Sequence, residues 1–327
     1  MSRVFIKQLE HQQQVDEIYQ ASGKQLRPNR NGDLYLQIEL SDKTGMVTTR
    51  LWNASQRVYD SFQNGDYLHV IGTAQLFQGA MQVIAKKIMV VPESQIDPAD
   101  FTQVASVDVT RLIARMRELI HSIGNPQLQI LAECFITDTE FMNAFAETPA
   151  GIKHHHAYRG GLLEHTVTIM DAASRITPCY PGVDRDLLLI GAMLHDIGKV
   201  QELIFAPEAE YSDPGQMLGH VVLAMPVLEE KLEEAERLCG EPVDPEIVLR
   251  LKHMIVSHHG HYEFGSPRLP MTPEAIALHF LDNLDAKINA FQGLIDADPN
   301  ADSRWTHYQP SLNRKLYKGR GPGEPDD

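Results

Sequence analysis

Residues Leu187–Lys199 read Leu-Leu-Leu-Ile-Gly-Ala-Met-Leu-His-Asp-Ile-Gly-Lys, an apolar run that ends on His195 and Asp196. Neighbouring residues on an α-helix point about 100° apart. An adjacent imidazole and carboxylate can therefore face one site only near a helix end or between two cations. Gly198 is consistent with a helix terminus there. A carboxylate has two oxygens and can bridge cations about 3.5–4 Å apart, so Asp196 reads as a bridge. Around this stretch the hydrophobic period is helical, and it predicts helices near 105–123, 126–136, 139–146, 160–177, 184–197, 215–238, 244–258 and 272–296.

Histidine is concentrated in this helical part, with eleven of the fifteen lying between His154 and His279. His165 sits among Leu162, Leu163, Val167 and Ile169; His220 follows Gly219; His258-His259 precedes Gly260; Asp282 and Asp285 lie in Phe280–Lys287. Bundles build metal sites from inward-facing side chains of separate helices. The donor set is imidazole plus carboxylate without cysteine. It suits Mn, Fe, Co, Ni or Zn and disfavours Ca and Mg, which take all-oxygen shells. His11, His253, His261 and His279 lack such support and read as structural or solvated.

The first 92 residues read differently. Leu34–Leu40 and Met46–Trp52 alternate with period two, Ser41–Gly45 supplies turn chemistry between them, and Tyr67–Ala74 and Met81–Val91 follow as strands. A short helical stretch falls near Ala54–Phe62, and Phe77–Ala80 reads as a hairpin turn. Short strands with a turn every ~8–12 residues predict a small barrel or sandwich. Residues 93–104 read as a linker, and 301–327 as a polar, Gly/Pro-rich tail.

Composition bounds the rest. The 327 residues suit two domains, and 43% hydrophobic with 22% charged content excludes wholesale disorder. No apolar run reaches the ~18–20 residues of a membrane span. Three scattered cysteines with no CxxC exclude a disulfide framework and suit a reducing cytoplasm. The net charge of −15 is uneven: residues 1–92 hold ten Lys and Arg against eight acids, +2, which leaves −17 for the remainder.

Together these residues resemble a known family. His165, His195-Asp196 and Asp282 look like the HD phosphohydrolase pattern, and His220 with His258-His259 is similar to its two-metal branch. Leu34–Leu40, Ser41–Gly45 and Leu51-Trp52 resemble the first strands of nucleic-acid-binding OB-folds. An OB-fold ahead of an HD domain carrying His155–Thr166 and Ser257–Gly260 resembles the YhaM-type 3′–5′ exoribonucleases over roughly residues 30–318. The resemblance implies a multidomain chain: a small all-β OB-fold barrel in 1–92, then an all-α HD helical bundle in 105–300. A lone histidine on an apolar helix is more often a hydrogen-bonded core residue; five ligand-bearing segments in the family's order favour a metal site.

The same resemblance implies a ligand set and a reaction. One divalent ion would be held by His165, His195, Asp196 and Asp282, the second by Asp196, His220 and His258 or His259. Asp285, one turn from Asp282, could replace it or stand behind a ligand. Manganese is the first choice of metal. The two cations would activate water for attack on the terminal phosphodiester of single-stranded RNA, and of DNA too, releasing a nucleoside 5′-monophosphate. Lys199 could contact a non-bridging phosphate oxygen. Just ahead of the His165 helix, His155, His156, Tyr158 and Arg159 could bind phosphate or stack on the last base.

On the barrel, Tyr35, Tyr59, Tyr67 and Phe77 are candidate stacking partners, whereas Trp52 and Phe62 read as core. Arg27, Arg30, Arg50, Lys86 and Lys87 form either a phosphate track or a solvated surface. Trp305, Tyr308 and Tyr317 interleave with Arg304, Arg314, Lys315, Lys318 and Arg320, either a second contact to single strands or a solubilising tail. The alternatives are an HD phosphohydrolase acting on nucleotides or cyclic dinucleotides, and a non-catalytic nucleic-acid-binding protein with a structural metal. A homo-oligomer fits the resemblance.

Overall fold

The computed structural model describes residues 3–29, 32–77, 80–101, 108–152, 158–205, 209–296, 298 and 303–319. The chain divides into two compact units, one made of residues 1–104 with 291–327 and the other of 105–290.

The first unit is built on a closed five-stranded barrel of β1 (Gln14–Pro28), β2 (Leu34–Asp42), β3 (Gly45–Leu51), β4 (Tyr67–Phe77) and β5 (Ala80–Val91) in the order β1-β2-β3-β5-β4, with α1 (Gln56–Tyr59) between β3 and β4. Among the described residues only β3 and β5 pair in parallel. The alternation of β2 works as the pattern demands: Leu36, Ile38 and Leu40 are fully buried in the barrel core with Val47, Leu68, Val70 and Val83. Each such residue contributes about 1.5–3 kcal/mol of burial.

β1 is a strand the hydrophobic pattern does not announce. Its first half pairs with β4 and its second with β2. Tyr19, Gln20, Ala21 and Ser22 are all buried in succession, which erases the period of two. The ladder breaks between Ser22 and Gln25, where Gly23 takes a φ of 56°. Phe62 is core, as expected, but Trp52 is 46% exposed. β3 ends one residue earlier, and Asn53 at φ 54° turns the chain away from the sheet. Gln78 and Gly79 of the expected hairpin turn, and Arg30, lie outside the described residues.

Part of the expected linker is fixed to this unit. Asp100 pairs with Arg3 at 2.7 Å and Lys43 at 2.9 Å, and the Phe101 ring meets Tyr67 edge-on. Residues 303–319 of the expected tail form an antiparallel hairpin bridged at Trp305–Tyr317 and Gln309–Arg314. Arg320 lies outside the described residues.

The second unit contains α2 (Val109–His121), α3 (Pro126–Thr137), α4 (Thr139–Glu147), α5 (Gly161–Ile176), α6 (Arg185–Leu194), α7 (Lys199–Glu202), α8 (Asp213–Leu218), α9 (His220–Cys239), α10 (Pro245–Ser257) and the start of α11 (Pro273–Asp296). Asp108, Asn125, Asp138, Asp184, Ser212 and Asp244 cap their helices by accepting backbone N–H bonds, each worth about 1 kcal/mol. Leu162, Leu163, Leu187–Ile190, Leu194, Met254, Ile255 and Leu278 form one continuous core.

Three departures from the expected helices matter. The unit is not wholly α: β6 (Leu203–Phe205) and β7 (Ala209–Tyr211) make a two-stranded hairpin too short for periodicity to reveal. The helix expected over 184–197 stops at Leu194. The helix expected over 215–238 is broken at Gly219 (φ 75°, ψ 156°) into α8 and α9. Both breaks lie at candidate ligands. No helix among the described residues is long and apolar enough to cross a membrane.

Candidate metal centre

The break after α6 is what lets His195 and Asp196 face one place. Gly198 makes it possible: a Cβ there would lie 2.0 Å from the His220 carbonyl oxygen. Gly219 in turn sets His220 at the first position of α9. His258 and His259 follow the last turn of α10, and Gly260 (φ 76°) leaves no room for a Cβ, which would sit 2.2 Å from the His279 ring. α5 brings His165, and α11 brings Asp282 and Asp285.

The donor atoms form two groups. His165, His195 and Asp282 make one, and His220, His258 and His259 the other; within each group they lie inside 4.8 Å of one another. Asp196, 2% exposed, stands between them. Its Oδ2 is 3.6 Å from His165 Nε2 and 3.2 Å from His195 Nε2, while its Oδ1 is 3.4 Å from His220 Nε2 and 3.6 Å from His258 Nε2.

Behind the donors, four of the five rings are held by their other nitrogen. His195 Nδ1–H donates to the Ala192 carbonyl at 2.8 Å, and His258 Nδ1–H to that of Ile255 at 2.7 Å. His165 Nδ1 meets Asp285 Oδ2 at 2.6 Å, and His220 Nδ1 lies 3.1 Å from both oxygens of Glu202. Such partners fix the tautomer that presents Nε2 as a lone pair. Asp282 Oδ1 is 3.3 Å from His165 Nε2, so the two acids left open by their shared helical spacing stand on opposite edges of one ring.

Electrostatics match the geometry. Burial raises the carboxyl of Asp196, but Lys199 and His195 outweigh it and hold the group well below its ordinary range. Asp282 is likewise lowered, by His165 and His195 against burial. Burial pushes His165 down, yet Asp282 and Asp285 prevail and lift it to about 9. His258 is driven well below 6.5, first by burial and then by His195 and His259; His259 is lowered by burial and His220. The Lys199 ammonium is 2.6 Å from Asp196 Oδ2, so in this structure it is committed to that carboxylate.

The donor set fits divalent cations. Asp196 Oδ1, His220 Nε2 and His259 Nδ1 are buried without any hydrogen-bond partner, and each such atom costs about 1–3 kcal/mol left unmade. Ions satisfying them would remove that cost.

A cleft of about 200 Å³ opens onto the centre, lined by His165, Asp196, Lys199, His258, His259 and Asp282, together with Phe264, His279, Asn283 and Ala286. The roomier groove between α9 and α10 shares none of these residues. Tyr158 donates its hydroxyl proton to Glu164 in the first turn of α5, and burial followed by Glu164 raises its pKa. Arg159 faces Glu147 at 3.7 Å. His155 and His156 lie outside the described residues. On the barrel, Arg50 bonds Gln82, and Tyr35 packs against Trp52 with ring centroids 5.1 Å apart.

Glu202 and Phe264 carry no signal in the sequence, whereas His279, which reads as structural or solvated, bonds the His258 carbonyl through Nδ1 at 2.8 Å and also lines the cleft. Glu202 lies six residues after Asp196, between the helices expected over 184–197 and 215–238, and the close approach of Gly215, whose Cβ would be 2.2 Å from the Glu202 carbonyl oxygen, turns it towards His220.

Comparison with known proteins agrees on both units. Residues 162–287 match the HD domain, the domain of metal-dependent phosphohydrolases, and residues 15–91 match an OB-fold nucleic acid binding domain. The fold class is thus an OB barrel followed by an HD helical region. Among solved structures the chain is similar to the second OB-fold domain of replication protein A from Methanococcus maripaludis, at 18% identity over 29% of this chain and 100% of that one, TM-score 0.23. It is also similar to a replication protein A heterotrimer bound to ssDNA, at 20% identity over 28% and 66%, TM-score 0.20. A third is asparaginyl-tRNA synthetase from Pyrococcus horikoshii complexed with asparaginyl-adenylate, at 10% identity over 48% and 39%, TM-score 0.22.

Proposed function

We propose that this protein is a metal-dependent 3′–5′ exonuclease that shortens single-stranded RNA, and DNA as well, to nucleoside 5′-monophosphates. The position of Asp196, one oxygen against each imidazole group, is what supports it. One cation would be held by His165, His195, Asp282 and Asp196 Oδ2, the other by His220, His258, His259 and Asp196 Oδ1. Bound there, two divalent ions supply Lewis acidity that acidifies water and neutralises phosphate charge.

The chain's own groups do the rest. Lys199 keeps Asp196 ionised and in place, and acts as a positioning residue. Asp285 and Glu202 hold His165 and His220 in the donor tautomer. The cleft of about 200 Å³ takes a terminal phosphodiester rather than a folded duplex. Phe264, 66% exposed beside it, offers a face to the last base. The barrel captures the strand through Tyr35, Trp52 and Arg50, since base stacking on aromatics is sequence-tolerant.

A 5′-labelled RNA oligonucleotide incubated with Mn²⁺ will give a ladder shortening from its 3′ end. Asp196→Asn will abolish the ladder while oligonucleotide binding persists. An intact oligonucleotide across manganese, iron, cobalt, nickel and zinc would overturn the proposal. Release of product from a cyclic dinucleotide with RNA untouched would transfer the centre to small phosphodiesters.

A further inference from the structure

Residues 303–319 match neither domain family, yet they are folded. Asp298, whose side chain is 1% exposed, pairs with His307 at 2.9 Å and Lys318 at 3.0 Å and so pins both strands of the hairpin. Thr306 and Leu316 turn inward, 1% and 4% exposed, and their backbones bond at 2.8 Å. By the period of two, Trp305, Lys315 and Tyr317 then turn outward. Trp305 and Tyr317 are 50% and 52% exposed, with ring centroids 5.0 Å apart. Tyr308 is exposed beside Asn313.

The charge of this segment is one-sided. Between Ser303 and Gly319 there is no acidic residue, while Arg304, Arg314, Lys315 and Lys318 are basic, in a chain whose net charge is −15. Arg314 and Lys315 are exposed at the hairpin's outer end. Two aromatic faces presented side by side with cations, and without acids, match a polyanion that carries flat rings. They do not match an apolar protein surface, which would not require the cations, or an acidic peptide, which would not require the paired rings.

We propose that the Trp305–Tyr317 hairpin is a second binding site for single-stranded nucleic acid, with the rings stacking on bases and Arg314 and Lys315 on phosphates. It goes beyond the exonuclease reading, because binding here requires neither ions nor hydrolysis.

The chain has two tryptophans, Trp52 and Trp305, so each can be watched alone. In Trp52→Phe, with EDTA present, oligo(U) will quench Trp305 emission. Tyr317→Ala in that background will weaken the titration about tenfold, in line with ~1–3 kcal/mol per stacked base. Arg314→Gln with Lys315→Gln will reduce the slope of log affinity against log salt by about 1.4. Unchanged Trp305 emission at saturating oligonucleotide, or a salt slope indifferent to the double substitution, overturns the proposal. So does quenching by phosphatidylserine vesicles in place of oligonucleotide, which would make the hairpin a membrane contact. Trp305→Phe, observed through Trp52, reports the barrel separately, so failure there leaves the hairpin standing.

Discussion

Asp285 stands behind His165, its Oδ2 2.6 Å from the ring's Nδ1, as Glu202 stands behind His220 at 3.1 Å. Each imidazole group therefore has one ring backed by a carboxylate and one backed by a peptide carbonyl. Asp285→Asn and Glu202→Gln will each weaken the ion on their own side by about 10–100-fold. Elemental analysis after dialysis will find one ion retained per chain in either variant, and none in the double variant. Equal loss of both ions from each single variant would contradict independent support.

His165 links ion uptake to protons. Its two acid partners raise it to about 9, above the ordinary 6.5. A raised value means that the protonated ring stabilises the ion-free fold fully below pH 6.5, and that this contribution is lost as pH rises through about 9. A cation must displace that proton, so Mn²⁺ uptake at neutral pH will release one and will tighten as pH rises. Calorimetry in two buffers of different ionisation enthalpy checks it; identical heats at pH 7 would falsify it.

Acid sensitivity of the second unit is set in part by Glu274, 1% exposed, which accepts the Asp184 N–H at 2.8 Å and pairs with Arg250 at 2.7 Å. Burial raises its carboxyl, but the Asp184 N–H and Arg250 together hold it below 4.5. Its stabilisation is thus present above pH 4.5 and lost as pH falls through the depressed value. Glu274→Gln will lower the melting temperature at pH 7, and the gap from the parent will close on acidification. A gap that widens below pH 4 would contradict this.

Gly198→Ala tests the close approach of α7 to α9. The added methyl would meet the His220 carbonyl oxygen at 2.0 Å and the Ala224 nitrogen at 2.7 Å. Backbone cannot yield as a side-chain tip does, so the cost will be about 3 kcal/mol, read as a shift in urea midpoint. It will be accompanied by weaker ion retention, because His220 moves with that carbonyl. A midpoint within error of the parent would mean the two backbones are not held together.

Legibility in the sequence divides along physical lines. His165, His195-Asp196, His220, His258-His259 and Asp282 are visible because each interrupts or ends an apolar run that must be buried. The choice between Asp282 and Asp285 is not, since residues one turn apart share a helical face and only the orientation of the His165 ring separates them. Glu202 is hidden because the turn towards His220 is made by backbone packing at Gly215, which leaves no periodic trace. Leu36, Ile38 and Leu40 declare β2, whereas buried Gln20 and Ser22 conceal β1. Trp52 reads as core by its chemistry and is exposed because the ladder ends just before it.

The acid that grips His165 lies 120 positions further along the chain. A nascent polypeptide emerging from the ribosome therefore carries every imidazole of the cluster before it carries α11. Until that last helix docks, His165 has neither carboxylate that sustains its proton, and its helix must wait with an uncompensated polar face. Truncations upstream of residue 273 are accordingly expected to leave the whole helical unit unfinished rather than a smaller working version of it.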